Sequence, residues 1–262
     1  MKRSKLKMTK KPLILVTNDD GFHAPGIIAL TEVAKEFGAV LKIAPDKPQS
    51  GMGHAITINS TLRFEQLESG NDFNAYQCTG TPVDCVKIAL DVILDEKPDL
   101  IVSGINHGSN ASINVIYSGT MSAALEGYIE GVPSIGFSLL DHGLEADFTA
   151  CKHFAREIIE LALKQKGKNY CLNVNVPKLN LDLIKGIKYC RQAHAKWQEE
   201  FDKRQDPSGK DYYWLTGHFV PFDEHKEDTD LWALQNGYVS VVPVSYDLTN
   251  YETLNDLANW KN

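Results

Sequence analysis

The sequence predicts an α/β fold: a mostly parallel sheet with helices on both faces to about residue 180, then a β-rich C-terminal extension. Three observations carry this. Short, mostly apolar runs rich in branched residues recur at Leu13–Val16, at Val40–Ala44 (interrupted by Lys42) and within Pro98–Val102, the pattern of strands buried on both faces. Segments of helical period separate them. From Tyr170 onward the pattern changes to short alternating stretches rich in aromatics, as hairpins produce.

The elements follow in order. Leu13–Val16 is the first strand and runs into Thr17-Asn-Asp-Asp-Gly21. Pro25-Gly26 opens a helix with Ile27, Leu30, Ala34 and Phe37 on one face, and Gly38 stops it. Val40–Ala44 completes a βαβ unit, whose crossover is right-handed. Ser50-Gly-Met-Gly53 reads as a turn, with short strands at Ile56–Ile58, Leu62–Phe64 and Phe73–Cys78. A helix follows Thr81-Pro82, and a third buried strand lies within Pro98–Val102. The polar stretch Ser103–Ser118 reads as a long loop, and loops of that length inside a compact domain are usually functional. Thr120–Gly131 is helical, Val132–Phe137 a strand and Asp147–Lys166 an amphipathic helix. Strands at Cys171–Val176 and Ile184–Tyr189 precede Trp197–Phe222, which alternates and turns at Pro207-Ser-Gly209. A short helix at Thr229–Gln235, a strand at Gly237–Val244 and a closing helix at Leu254–Trp260 end the chain. The expected division is a leader over 1–12, an α/β domain over 13–180 and a β-rich extension with a hairpin over 181–262.

The chain has 262 residues, 43 % apolar and 23 % charged, the composition of an ordinary globular protein of one or two domains. Its longest apolar runs fall far short of the ~20 residues of a membrane helix, so no membrane association is expected. Five cysteines without a close pair fit neither a disulfide framework nor a zinc cage and point to a reducing, cytoplasmic compartment. Six basic side chains and no acid in residues 1–12 leave 21 basic against 34 acidic residues in the rest, a net −13. The short basic arm reads as a disordered leader, and so acidic a body argues against a stable nucleic-acid complex.

Small polar residues concentrate where strands end: Asn18-Asp19-Asp20-Gly21 after the first strand, Ser50 past the second, and Ser103-Gly-Ile-Asn106 after the third. Ligands of open α/β sheets bind beyond those carboxyl ends. Adjacent carboxylates repel each other, and a hard cation such as Mg²⁺, Mn²⁺ or Ca²⁺ between oxygen donors relieves them. Capping by Asp20 and an Asx-turn at Asp19 account for the same residues without a metal. Ser118-Gly119-Thr120 opens a helix and suits a phosphate, although taken alone these residues are better explained as an N-cap with a close-packed helix behind it. Of the histidines beside these loops (23, 54 and 107), His23 and His107 are candidate general bases. No Gly-x-Gly-x-x-Gly, P-loop or Gly-x-Ser-x-Gly occurs, which argues against dinucleotide, ATPase and serine-esterase chemistry. The acidic Asp228-Thr-Asp230 reads as a helix cap, and the aromatics of Trp197–Trp214 as a sheet or subunit interface.

Five fragments in register, Ile14-Leu-Val-Thr-Asn-Asp-Asp-Gly21, Ala44-Pro45 with Ser50-Gly-Met-Gly53, Gly80-Thr-Pro-Val-Asp-Cys85, Ser103-Gly-Ile-Asn106 and Tyr117-Ser-Gly-Thr120, resemble the survival protein SurE family. The likeness runs from about residue 13 to Pro243 and leaves the leader outside. The resemblance implies a Rossmann-like domain whose C-terminal extension exchanges between subunits of a homodimer or homotetramer. It implies a 5′/3′-nucleotidase of acid-phosphatase-like type, acting on nucleoside monophosphates and on short polyphosphate. One divalent ion per subunit, Mg²⁺ or Mn²⁺, would be held by Asp19, Asp20, Ser50 and Asn106. Asp19 and Asp20 would be catalytic, and Ser118, Gly119 and Thr120 would bind phosphate. One departure is visible: Asn114 stands where many members carry Asp. A non-catalytic metal- and nucleotide-binding module is the alternative reading.

Overall fold

A computed structural model describes residues 11–143, 145–257 and 259–260. All of the expected leader except Lys11 and Pro12 lies outside the described residues. In order the chain forms β1 (Leu13–Thr17), α1 (Pro25–Lys35), β2 (Ala39–Pro45), β3 (Phe64–Ser69), β4 (Phe73–Cys78), α2 (Pro82–Ile88), β5 (Leu100–His107), α3 (Asn114–Tyr117), α4 (Gly119–Ile129), β6 (Ser134–Leu139) and α5 (Thr149–Leu163). Then come β7 (Cys171–Val176), β8 (Ile187–Tyr189), β9 (Ala195–Gln205), β10 (Asp211–Pro221), α6 (Asp230–Gln235), β11 (Val239–Val244) and α7 (Tyr251–Leu257).

Nine strands form one sheet in the order β3-β4-β2-β1-β5-β6-β7-β11-β8, and β9 and β10 form a separate antiparallel ribbon. The pairs from β4 through β7 are parallel; β3 on β4 and β11 on β7 are antiparallel. Strand side chains alternate between faces, and β1 shows both of its faces buried. Ile14 and Val16 join Ile27, Leu30 and Val33 of α1 and Phe154, Ile158 and Ile159 of α5 in one core. Leu13 and Leu15 join Cys85 and Val86 of α2 and Ala123 of α4 in the other. Each such aliphatic side chain withdrawn from water contributes about 1.5–3 kcal/mol, so β1 is anchored from both sides. α1 lies directly on the sheet backbone. A Cβ added at Gly26 would sit 1.9 Å from the Ile105 carbonyl oxygen.

Several local expectations change. Ile56–Ile58 is not a strand; the Thr57 N–H and hydroxyl donate to the Asp84 carboxylate instead of to a ladder. The strand expected at Leu62–Phe64 starts at Phe64 and runs on to Ser69 as β3, antiparallel to β4. β5 continues to His107, so Asn106 ends a strand instead of lying in a loop; the β5–β6 register shifts between Ser103 and Asn106. The segment after residue 180 is not all apart from the sheet: β8 and β11 extend its edge, while β9 and β10 pair with each other in a hairpin that turns at Asp206–Lys210. No helix among the described residues is long and apolar enough to cross a membrane.

Candidate active site

β1 is flanked by β2 on one side and β5 on the other. The chain builds outward first through β2 and β4, then through β5, β6 and β7, so the β1/β5 boundary is where the winding reverses. A crevice opens at the carboxyl ends of strands at such a point. Asp19 and Asp20 follow β1 immediately, and Asn106 is near the end of β5.

Three elements are tied to the aspartate pair. Gln49 N–H donates to the Asp19 carbonyl oxygen at 2.7 Å, which seats the neighbouring Ser50 beside it. His107 N–H reaches Asp20 Oδ2 at 3.4 Å, which brings Asn106 alongside. The Thr120 hydroxyl and backbone N–H both donate to the Asp19 carboxylate. Asp19, Asp20, Ser50, Asn106 and Ser118 then line a single cavity of about 610 Å³.

Burial pushes Asp19 up to about 6, opposed by the Thr120 hydroxyl and reinforced by the charge of Asp20. Asp20 is also raised by burial, with the His107 N–H and the His107 ring acting against it. Two carboxylates driven this way need positive charge to remain ionised together. The donors around them suit a hard cation: two carboxylates, one hydroxyl and one amide oxygen. Asn106 Nδ2 donates to the Gly108 carbonyl at 2.9 Å, which commits the amide nitrogen and turns Oδ1 into the donor atom. The residues present therefore fit a divalent metal through a mixed set of carboxylate, hydroxyl and amide oxygens; no group of three or more His, Cys, Asp or Glu side chains placed to hold a metal occurs among the described residues.

The family model for survival protein SurE matches residues 14–199. The chain belongs to the survival protein SurE family. It is similar to a Flavobacterium psychrophilum protein named 5′-nucleotidase SurE, 60 % identical over 253 residues, covering 95 % of this chain and 98 % of that one. A Christiangramia forsetii protein of the same name is 61 % identical over 254 residues, covering 96 % and 97 %. The crystal structure of the SurE protein from Aquifex aeolicus superposes with a TM-score of 0.81 at 40 % identity, covering 96 % of this chain and all of that one.

Within this SurE fold the other sequence candidates part company. Ser118 is on the cavity wall, but its hydroxyl accepts from Met121 N–H at 3.0 Å as the cap of α4. Gly119 packs on Asp19, where an added Cβ would meet the Asp19 Cβ at 2.7 Å. The helix N-terminus therefore grips the first aspartate. His107 lines the cavity, whereas His23 stacks edge-on against Phe22 and His54 faces a different, more apolar cavity. Thr229, between the two aspartates read as a cap, is the capping residue of α6, accepting from Trp232 N–H at 3.2 Å. Asp230 is buried and accepts from Ser112 N–H at 2.8 Å and Ala193 N–H at 2.9 Å, tying α6 to two loops.

Sequence reasoning missed the groups that hold the Ser50 loop. Asp84 accepts from Thr57 N–H, the Thr57 hydroxyl and Thr81 N–H at 3.1, 2.6 and 2.9 Å. Buried Glu126 of α4 bonds His54 Nε2 at 2.8 Å and pairs with Lys87 of α2. The Gly80–Cys85 motif carried the hint, since Thr81 and Asp84 form a capping box; its second task, anchoring a loop, is invisible in one dimension. Also missed was that Asn114, His142, Trp197 and Phe219 line the same cavity as the aspartates.

Proposed function

We propose that this SurE-family chain is a nucleotidase, a metal-dependent phosphomonoesterase that hydrolyses nucleoside 5′- and 3′-monophosphates to nucleoside and phosphate, with short polyphosphate as a further substrate. One observation carries the reading: four oxygen donors from three separate segments meet at one cavity, beside the capped N-terminus of α4. The relatives' names, 5′-nucleotidase SurE, support the substrate class.

Asp19, Asp20, Ser50 and Asn106 would hold one Mg²⁺ or Mn²⁺ ion. When bound, such an ion polarises a phosphoryl oxygen and makes a water more acidic. The chain's own residues supply the rest. The α4 N-terminus turns its positive end toward the cavity, and Ser118, with the Gly119–Thr120 turn behind it, presents that end to the phosphate. Thr120 holds the Asp19 carboxylate in one orientation. Because two donors already engage that carboxylate, Asp19 is a poor nucleophile, which favours in-line attack by water over an aspartyl-phosphate. His107, which shares the cavity wall with His142, is the candidate from the strand-end loops to accept the water's proton.

The exposed hairpin residues Phe201, Tyr213, Trp214 and Leu215 support a homodimer or homotetramer assembled through the extension. The five cysteines, all buried and none in a disulfide, support a cytoplasmic location.

The test is phosphate release from 5′- and 3′-nucleoside monophosphates with EDTA, Mg²⁺ or Mn²⁺, in the wild type and Asp19→Asn. Turnover restored by metal and lost in the variant is expected. Nucleotide binding without release under any metal would instead identify a non-catalytic binding module.

A further inference from the structure

We propose that Trp197 and Phe219 form the stacking wall for the substrate's nucleobase, and that Asn114 sets its orientation. This rests on the nucleotidase reading and adds the site that holds the part of the substrate away from the phosphate.

The cavity lining is chemically mixed: Asp19, Asp20, Ser50 and Asn106 give it oxygen donors, and Trp197, Phe219 and Leu231 give it large apolar groups. A nucleoside monophosphate calls for both, since it joins a charged phosphate to a flat aromatic base. The volume of about 610 Å³ lies inside the range of small-molecule sites.

The aromatic pair is built and held. Trp197 of β9 is directly opposite Phe219 of β10 in the hairpin register. Their ring centroids are 5.5 Å apart with planes at 69°, an edge-to-face contact that fixes each ring against the other. The indole Nε1–H donates to Asn114 Oδ1 at 2.8 Å, which locks the ring to α3, the short helix that ends at Tyr117 just before Ser118. Trp197 nevertheless keeps 39 % of its surface open. Its one polar atom is already satisfied, so the open surface offers π face and apolar edge, with no hydrogen-bond donor left to discriminate between bases. Such a surface stacks any base, and the wall therefore confers affinity for a base with little choice among bases. The neutral Asn114 amide accepts the indole N–H without adding a third carboxylate to the cavity. The other hairpin aromatics, Tyr212, Tyr213 and Trp214, do not line this cavity.

The test compares kcat/KM for adenosine 5′-monophosphate with kcat/KM for ribose 5-phosphate, which carries the same phosphate without a base. Stacking strengths of this kind predict that Trp197→Ala lowers the ratio of the two by about tenfold. Phe219→Ala is expected to move it in the same direction. Trp197→Phe keeps a ring and is expected to recover most of the ratio, and near-equal ratios across adenine, guanine, cytosine and uracil nucleotides are expected in the wild type. A ratio unchanged in both alanine variants, each folded by circular dichroism, would overturn the wall and leave the nucleotidase reading intact. So would a wild type that hydrolyses both substrates equally well. No release from either substrate with Mg²⁺ or Mn²⁺ would remove the nucleotidase reading itself, and this inference with it.

Discussion

Gly119→Ala isolates the contact between the α4 N-terminus and the first aspartate. The added Cβ would lie 2.7 Å from the Asp19 Cβ and 3.0 Å from Oδ2. Carbon atoms in ordinary contact are about 3.5–4.0 Å apart, so roughly 1 Å has to be found. Asp19 follows β1, which is packed between β2 and β5 and buried on both faces. The displacement therefore falls on the Asp19 side chain or on the first turn of α4. Either movement breaks the Thr120–Asp19 hydrogen bond and shifts a proposed metal ligand. A misplacement of about 1 Å costs on the order of 100-fold in rate. The fold should survive: overpacking costs about 1–3 kcal/mol, partly offset by the ~0.5–1 kcal/mol advantage of alanine over glycine in a helix. The assay is kcat/KM on a nucleoside 5′-monophosphate, with Mn²⁺ affinity by calorimetry and Tm measured alongside. Both kcat/KM and Mn²⁺ affinity should fall while Tm drops by only a few degrees. A variant within threefold of wild type in activity and metal affinity would refute the idea that this contact sets the Asp19 position.

Two further substitutions probe the scaffold. At Gly26, an alanine Cβ would be 1.9 Å from the Ile105 carbonyl oxygen and 2.9 Å from its carbon. Both neighbours are backbone, so Gly26→Ala should cost 3 kcal/mol or more, above the usual overpacking range; a urea midpoint equal to wild type would contradict the direct packing of α1 on β5. Glu126 is held below its ordinary value of 4.5 by the His54 hydrogen bond and then by Lys87, against the burial that raises it. A depressed carboxyl stabilises the folded state above its unfolded value, and that stabilisation is lost as pH falls through the folded value. Lys87 and His54 are substantially exposed, so the contribution is modest, about 1 kcal/mol. Glu126→Gln should therefore lower Tm by about 2–4 °C at pH 7, with the gap closing well below pH 4.5. A gap that widens on acidification would show that the carboxylate is not what holds the loop.

Much of this was legible in one dimension because the signals are local. Leu13–Val16 has no polar member to face water, so a strand covered on both faces is the only economical home for it, and the structure fills both faces with helices. Pro25 starts α1 at its first residue, since proline's missing donor costs nothing there. The turn Pro207-Ser-Gly209 appears where the hairpin reverses. Asp19 and Asp20 were conspicuous because two acids side by side at the end of an apolar run repel each other, although a helix cap and an Asx-turn account for the same pair in one dimension.

What one dimension could not decide is whatever depends on distant residues meeting. Ser118 to Thr120 reads equally as a phosphate cradle or a cap until Asp19, 101 residues away in sequence from Thr120, is found bonded to it. Asp84 looks like a capping residue until Thr57 arrives from across the loop. Trp197 and Phe219 look like ordinary hairpin aromatics until the ribbon is seated over the β1/β5 crevice. Composition and periodicity determined which segments become strands and helices, because burial and backbone geometry act on neighbours in the chain. Only the tertiary structure decided which oxygens share a cavity and which rings face them, because that depends on the order of strands in the sheet.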